Sequence, residues 1–138
     1  MTMLSGGCLC GGIRYALHAP IEGMDHCHCS MCRKAHGAAF ATYGRVARSG
    51  HQLDDDEGLL ERYRSSDAVT RSFCRRCGAN LLFEHAAMPD AVFVPIGSLD
   101  GDPGLRPEAH IFVGSKAVWY DLQDALPRHD AYPPGLAD

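Results

Sequence analysis

The sequence predicts an all-β domain pinned by zinc, and three observations carry that expectation. Short apolar stretches with period-two alternation recur along the chain, separated by Gly, Pro, Asp and Ser turns. One stretch alone reads as helix, and it is brief. Seven cysteines fall into three close groups: Cys8-Leu9-Cys10, Cys27-His28-Cys29-Ser30-Met31-Cys32 and Cys74-Arg75-Arg76-Cys77. Two pairs and a trio divide the seven into four plus three.

Taken in order, Gly6-Gly7 and Gly11-Gly12 bracket the first cysteine pair and permit the positive-φ turns that fold backbone closely around a metal. Ile13, Tyr15 and Leu17 then share one face of a strand that Ala19-Pro20 ends. From Met24 to Cys29 the alternation places Cys27 and Cys29 on one side, His26 and His28 on the other. Ser30 reads as an N-cap, so Met31 to His36 is predicted as a short helix stopped by Gly37. Cys32 then falls in the first helical turn, where free N–H groups and the helix dipole favour a thiolate.

Phe40 to Tyr43 reads as a strand whose small residues line a cavity. The acidic run from Asp54 to Glu57 lacks the spacing of a calcium loop and reads as a solvated turn. Leu59 to Arg64 and Val69 to Phe73 read as a hairpin across Ser65-Ser66-Asp67. Leu81 to Glu84 and Val92 to Ile96 follow, with Pro95 marking an edge or a strand end. Turn chemistry occupies Gly97 to Gly104, and His110 to Val113 is a last short strand. Trp119 and Tyr120 are expected to pack on the sheet, and the tail from Tyr132 to Asp138 to be loose. No repeat or linker divides the 138 residues, so one domain is expected, 46% hydrophobic and large enough for a core of its own.

Clustered cysteines at these spacings indicate metal in a reducing compartment; in a secreted chain they would indicate disulfides and one free thiol. The first residues show neither a basic n-region nor an apolar h-region, so no secretory signal is expected. The most apolar segment, Gly37 to Tyr43, falls far short of the roughly 20 residues of a bilayer span. A cytoplasmic protein is therefore expected, without a membrane partner. In the CxxC of Cys74 and Cys77 both sulfurs reach one metal, and Gly78 permits the tight turn behind them. Cys8 and Cys10, about sixty residues away along the chain, are the natural second pair, since loop-closure entropy grows only slowly with length.

Four thiolates around zinc make a closed, structural site, whereas three protein ligands leave a position for chemistry. The formal net charge is -4 with neutral thiols, and filling both sites with zinc on ionised cysteines takes it to about -7. A chain so acidic is a poor binder of phosphate backbones, and no nucleic-acid partner is expected.

The layout also resembles a known family. Gly7-Cys8-Leu9-Cys10-Gly11, Cys27-His28-Cys29-Ser30-Met31-Cys32-Arg33-Lys34, Phe73-Cys74-Arg75-Arg76-Cys77-Gly78, Pro95-Ile96-Gly97-Ser98-Leu99-Asp100 and His110-Ile111-Phe112-Val113 with Lys116-Ala117-Val118-Trp119 are similar to the glutathione-dependent formaldehyde-activating enzymes. That family includes the centromere-protein-V-like proteins, and the resemblance runs from about Gly6 to Pro127. It implies an Mss4-like fold, a twisted tent of antiparallel sheets. It implies two zincs: one structural on Cys8, Cys10, Cys74 and Cys77, the other catalytic and more labile on Cys27, Cys29 and Cys32. It implies a carbon–sulfur lyase that reversibly joins formaldehyde to the glutathione thiol, giving S-hydroxymethylglutathione.

The chemistry is coherent on the residues alone. A zinc on three thiolates accepts a fourth thiol and lowers its pKa, and proximity to an aldehyde carbon does much of the rest. Arg33 and Lys34, directly after the trio, are expected either to steady its thiolates or to offset charge on an anionic thiol substrate or on the alkoxide forming at the carbonyl oxygen. No general base is identifiable; His26, His28 and His36 read as surface or packing residues. The rival reading is a non-catalytic Mss4-like zinc module that captures a ligand or a protein.

Overall fold

Alternation decides the strands, and the cysteines decide where they stop. The computed structural model describes residues 3–133, which form ten strands and one α-helix: β1 (Leu4–Gly7), β2 (Arg14–Leu17), β3 (Met24–Cys27), α1 (Ser30–His36), β4 (Ala41–Ala47), β5 (His51–Asp54), β6 (Leu60–Arg64), β7 (Val69–Cys74), β8 (Asn80–His85), β9 (Ala91–Pro95) and β10 (Ala109–Ile111). Strands β1, β2 and β5 make a three-stranded sheet in that order; the other seven run β10-β3-β4-β9-β8-β7-β6. This is the mostly-β fold with one short helix that the sequence predicts. Its ladders are antiparallel with one exception: β10 lies parallel to β3, with His110 opposite His26.

Ile13, Tyr15 and Leu17 are buried, as the period-two pattern requires, and pack with Met24, Val46, Leu81, Val92 and Val94. Each such side chain contributes about 1.5–3 kcal/mol by leaving water. Cys8 and Cys74 belong to this same cluster, so the main core and the four-cysteine group are one body. A smaller cluster of Cys27, Cys32, Ala41 and Ile111 sits on the β10 side, with Tyr43, Phe112 and Tyr132 against it. Pro95 ends β9, the strand at the middle of the large sheet. Val92, Phe93 and Val94 pair with β4 inside that strand.

The helix begins one residue earlier than expected. Cys29, not Ser30, is its N-cap: its backbone is extended and its sulfur accepts the Cys32 N–H at 3.2 Å. A thiolate fills the capping role of a hydroxyl, so Ser30 is already helical. Gly37 closes the helix in the left-handed region at φ 59°, its N–H bonded to the Arg33 carbonyl. An added Cβ there meets nothing within 4 Å, so the penalty is purely conformational. Gly37→Ala should lower the unfolding free energy by about 1 kcal/mol, read by urea titration. An unchanged midpoint would show that the helix end relaxes.

Trp119 does not pack on the sheet. Its side chain is 70% exposed, and Ala117 is the residue this turn buries. Tyr120 alone of the pair reaches inward, edge-on to Phe40 at 5.6 Å. Of the tail expected to be loose, Tyr132 packs edge-on against Phe112 at 4.8 Å; residues 134–138 lie outside those described. The acidic run is a solvated turn, with the Asp55 carboxylate accepting the N–H groups of Leu59 and Leu60.

Candidate functional site

All seven cysteines carry free thiols, and they gather as the sequence divides them. The sulfurs of Cys8, Cys10, Cys74 and Cys77 lie within 4.8 Å of one another. Cys8 and Cys10 sit on the glycine-bracketed turn between β1 and β2, Cys74 ends β7, and Cys77 follows on a turn closed by the Gly78 N–H on the Cys74 carbonyl at 2.7 Å. Gly78 is at φ 79°, where a side chain would be strained. The Cys8–Cys10 and Cys10–Cys74 sulfurs are 3.5 and 3.8 Å apart. Sulfurs bound tetrahedrally to zinc at about 2.3 Å lie about 3.8 Å from one another, so the donor set fits that ion.

The surroundings favour a thiolate at Cys10 and Cys77, while burial pushes Cys74 up to about 11. The Ile13 N–H donates to Cys8 Sγ, and Arg76 Nε donates to Cys10 Sγ, both at 3.3 Å. Cys77 is drawn down to about 6, chiefly by the N–H groups of Ala79 and Cys10. Cys10 is lowered by the Gly12 N–H first and by Arg76 second.

The second group joins Cys27 at the end of β3, Cys29 at the helix cap and Cys32 in the first turn of α1, again with all sulfurs within 4.8 Å. Bonds from Cys27 and Cys32, with the Cys32 N–H, hold the Cys29 thiol far below its ordinary value; Cys27 is pushed up by Cys29, Cys32 and burial. The cation facing this group is Arg71, four strands along the large sheet from β3. Its Nη1 and Nη2 lie 3.7 and 3.6 Å from Cys32 Sγ. Arg71 is only 6% exposed, with Nε on Ser65 Oγ at 3.1 Å and the guanidinium over the Phe83 ring at 5.1 Å. A buried cation of this kind needs an anion, and a thiolate cluster supplies one.

Arg33 and Lys34 do not take that place. Arg33 Nε donates to the Ser115 carbonyl, Lys34 is exposed, and neither lines the cavity beside the trio. Helical geometry is the reason: residues right after Cys32 rotate away from the face that Cys32 buries. Arg71 had a signal in the sequence, an arginine at the inward position of an alternating strand, two residues after the buried Val69.

The cavity itself measures about 830 Å³. Cys27, Cys29, Cys32, Arg71 and Tyr43 form its polar end; Phe83, Phe93, Ile111, Phe112 and Tyr132 form much of its wall. The Tyr43 hydroxyl receives the Arg71 Nη1 at 3.4 Å and meets His36 Nε2 at 2.7 Å. Burial, then Arg71, lowers the His36 pKa, and burial raises that of Tyr43. This pair is absent from a sequence reading because neither residue carries a motif.

Residues 3–115 match the family described as glutathione-dependent formaldehyde-activating enzyme. The chain belongs to that family. An uncharacterized lyase of Schizosaccharomyces pombe is 24% identical over 122 residues, covering 88% of this chain and 87% of its own. A crystal structure of a Rhodobacter sphaeroides protein superposes with a TM-score of 0.58 at 21% identity, covering 75% of this chain and 91% of that one, and supports the fold. Within this formaldehyde-activating family member no helix among the described residues is long and apolar enough to cross a membrane.

The histidines of the trio segment face away from the sulfurs, as alternation predicts. His28 is fully buried, its Nε2 2.8 Å from His110 Nδ1, while His110 Nε2 meets the Asp124 carboxylate at 2.9 Å. The ionised Asp124 can only accept, so His110 Nε2 donates to it and His28 Nε2 donates to His110. His26 and Phe40 stack on the same group. Burial pushes His28 down to about 4, so it stays neutral and anchors the residue between Cys27 and Cys29.

Proposed function

We propose that the protein is a carbon–sulfur lyase that reversibly adds a small thiol, glutathione first among them, to an aldehyde such as formaldehyde at Cys27, Cys29 and Cys32. The observation that carries this reading is the juxtaposition of three thiols, one buried arginine and a large cavity. A purely structural metal site needs neither the cavity nor the arginine. Family membership and the lyase-named relative support the reaction class. Two zincs per chain fit the two donor sets, one closed on Cys8, Cys10, Cys74 and Cys77, the other open on the trio. A zinc on three thiolates supplies a Lewis-acidic position where a fourth thiol binds and loses its proton.

The chain's own groups do the remaining work. Arg71 offsets the negative charge of the trio through Cys32, and its fixed guanidinium faces the space where an aldehyde oxygen gains charge. The Tyr43 hydroxyl, which accepts from Arg71 Nη1 and sits 2.7 Å from His36 Nε2, donates its hydrogen bond to that oxygen as it becomes a C–OH. Phe83 and Phe112 exclude water from the polar end. We assign the anion-binding role to Arg71 rather than to Arg33 or Lys34. Thiols as metal ligands suit a reducing compartment, and a cytoplasmic reaction is the reading we adopt.

The test is exchange between free thiol plus aldehyde and their adduct, followed by NMR with the zinc-loaded protein and corrected for the uncatalysed rate. Arg71→Gln should lower kcat/KM about 100-fold, as loss of a charge-stabilising donor does elsewhere. Arg33→Ala should stay within about twofold of the parent protein, since that side chain bonds the Ser115 carbonyl and does not itself line the cavity. The reverse order would return the role to Arg33. No acceleration over a panel of thiols and aldehydes would leave a ligand-binding module.

A further inference from the structure

The reaction proposed above seats a thiol and an aldehyde in one cavity of about 830 Å³, the scale of a pocket for a drug-sized ligand, whose aromatic wall formaldehyde would leave uncovered. Resting on that reading, we infer that the aldehyde this protein takes is uncharged and carries an apolar body, aromatic or of about six carbons.

Direction decides which reactant that body belongs to. The thiol sulfur is drawn to the trio, and the carbonyl oxygen to the donors of Arg71 and Tyr43. Those donors abut the aromatic wall: the Phe83 ring lies 5.1 Å from the Arg71 guanidinium carbon and 5.3 Å from the Tyr43 ring. Phe93 continues it, edge-on to Phe83 at 5.6 Å. A substituent on the carbonyl carbon therefore runs along Phe83 and Phe93. These rings are half-buried and open to the cavity, the condition under which an apolar substituent gains by leaving water.

Charge argues against a carboxylate on that substituent. The arginines lining the cavity are Arg71, whose donors the trio and the carbonyl oxygen take up, and Arg45, whose Nε is 3.4 Å from Glu22. The step balances without a redox partner: the thiol S–H proton goes to the carbonyl oxygen, the C–S bond forms, and the C=O becomes a C–OH.

The experiment holds the thiol fixed and varies the aldehyde: formaldehyde, propanal, butanal, hexanal, phenylacetaldehyde and succinic semialdehyde. Each rate is expressed relative to its own uncatalysed exchange. The acceleration should climb about fourfold per methylene from propanal to hexanal and be high for phenylacetaldehyde. Succinic semialdehyde should fall at least tenfold below butanal, its uncharged match in length. Phe93→Ala should flatten the series, with Phe93→Leu as the milder variant if alanine unsettles the sheet. Formaldehyde turned over with no rise along the series overturns the inference and leaves the lyase reading intact. If no aldehyde is accelerated, unreactive 2-phenylethanol is titrated into the zinc-loaded protein. Saturable shifts at the Phe83 and Phe93 ring protons, weakened by Phe93→Leu, support the apolar site while the lyase reading fails. Absence of such shifts overturns both.

Discussion

Cys74→Ser should yield an unfolded or insoluble chain. Cys74 is fully buried in the main core beside Leu81 and Val92, and its sulfur lies 3.8 Å from that of Cys10, a residue 64 positions away. Serine removes one of four ligands and leaves a hydroxyl in an apolar setting. Binding of structural zinc is worth about 10–16 kcal/mol in small zinc domains, and a whole domain is stable by only about 5–15 kcal/mol. The larger quantity decides, so the fold goes with the ion. Circular dichroism and the soluble fraction after expression in zinc-supplemented medium check it. A soluble Cys74→Ser protein with the parent melting curve would remove the structural role from this group.

Cys32→Ser should do the opposite: keep the fold, lose one metal and lose turnover. The helix cap survives, because the Cys29 sulfur accepts the backbone N–H of residue 32, which serine retains. Arg71 keeps an oxygen to donate to, so it is not stranded without a partner. The ladders of β3 with β4 and of β4 with β9 do not involve this side chain. Metal content should fall from two ions per chain towards one, and the catalysed exchange rate to the uncatalysed level. A weak chelator acting on the parent protein should reproduce that state, removing one ion while the circular dichroism holds. Simultaneous loss of both ions at every chelator strength would merge the two groups into one cooperative unit.

Local periodicity was legible in the sequence, and contacts between distant strands were not. The burial of Ile13, Tyr15 and Leu17 follows from spacing two, as does the split of Cys27 and Cys29 from His26 and His28. The partition of the cysteines was legible because CxC, CxxC and the trio each bring sulfurs together over a few residues of backbone. Arg71 was not, since its meeting with Cys32 joins residues 39 positions apart and depends on how the large sheet curls. The parallel seat of β10 on β3 was hidden for the same reason, being set by a long crossover. The Cys29 cap was missed on chemical grounds, because hydroxyls and carboxylates dominate that position and a sulfur is seldom considered. Trp119 misled through its apolarity, which predicts burial on average but cannot say which residue of a turn faces inward.

The cap formed by Cys29 bears on timing. The same sulfur that belongs to the trio already holds the first turn of α1 in place through the Cys32 N–H, and the His28–His110–Asp124 chain clamps the residue before it from behind. These bonds order the loop through the chain's own groups. If the trio holds zinc as proposed, departure of the ion need not unravel the helix, because these bonds run between the chain's own groups. On the same reading a zinc on the trio should exchange ahead of one on the four-cysteine group, which is locked into the core through Cys8 and Cys74.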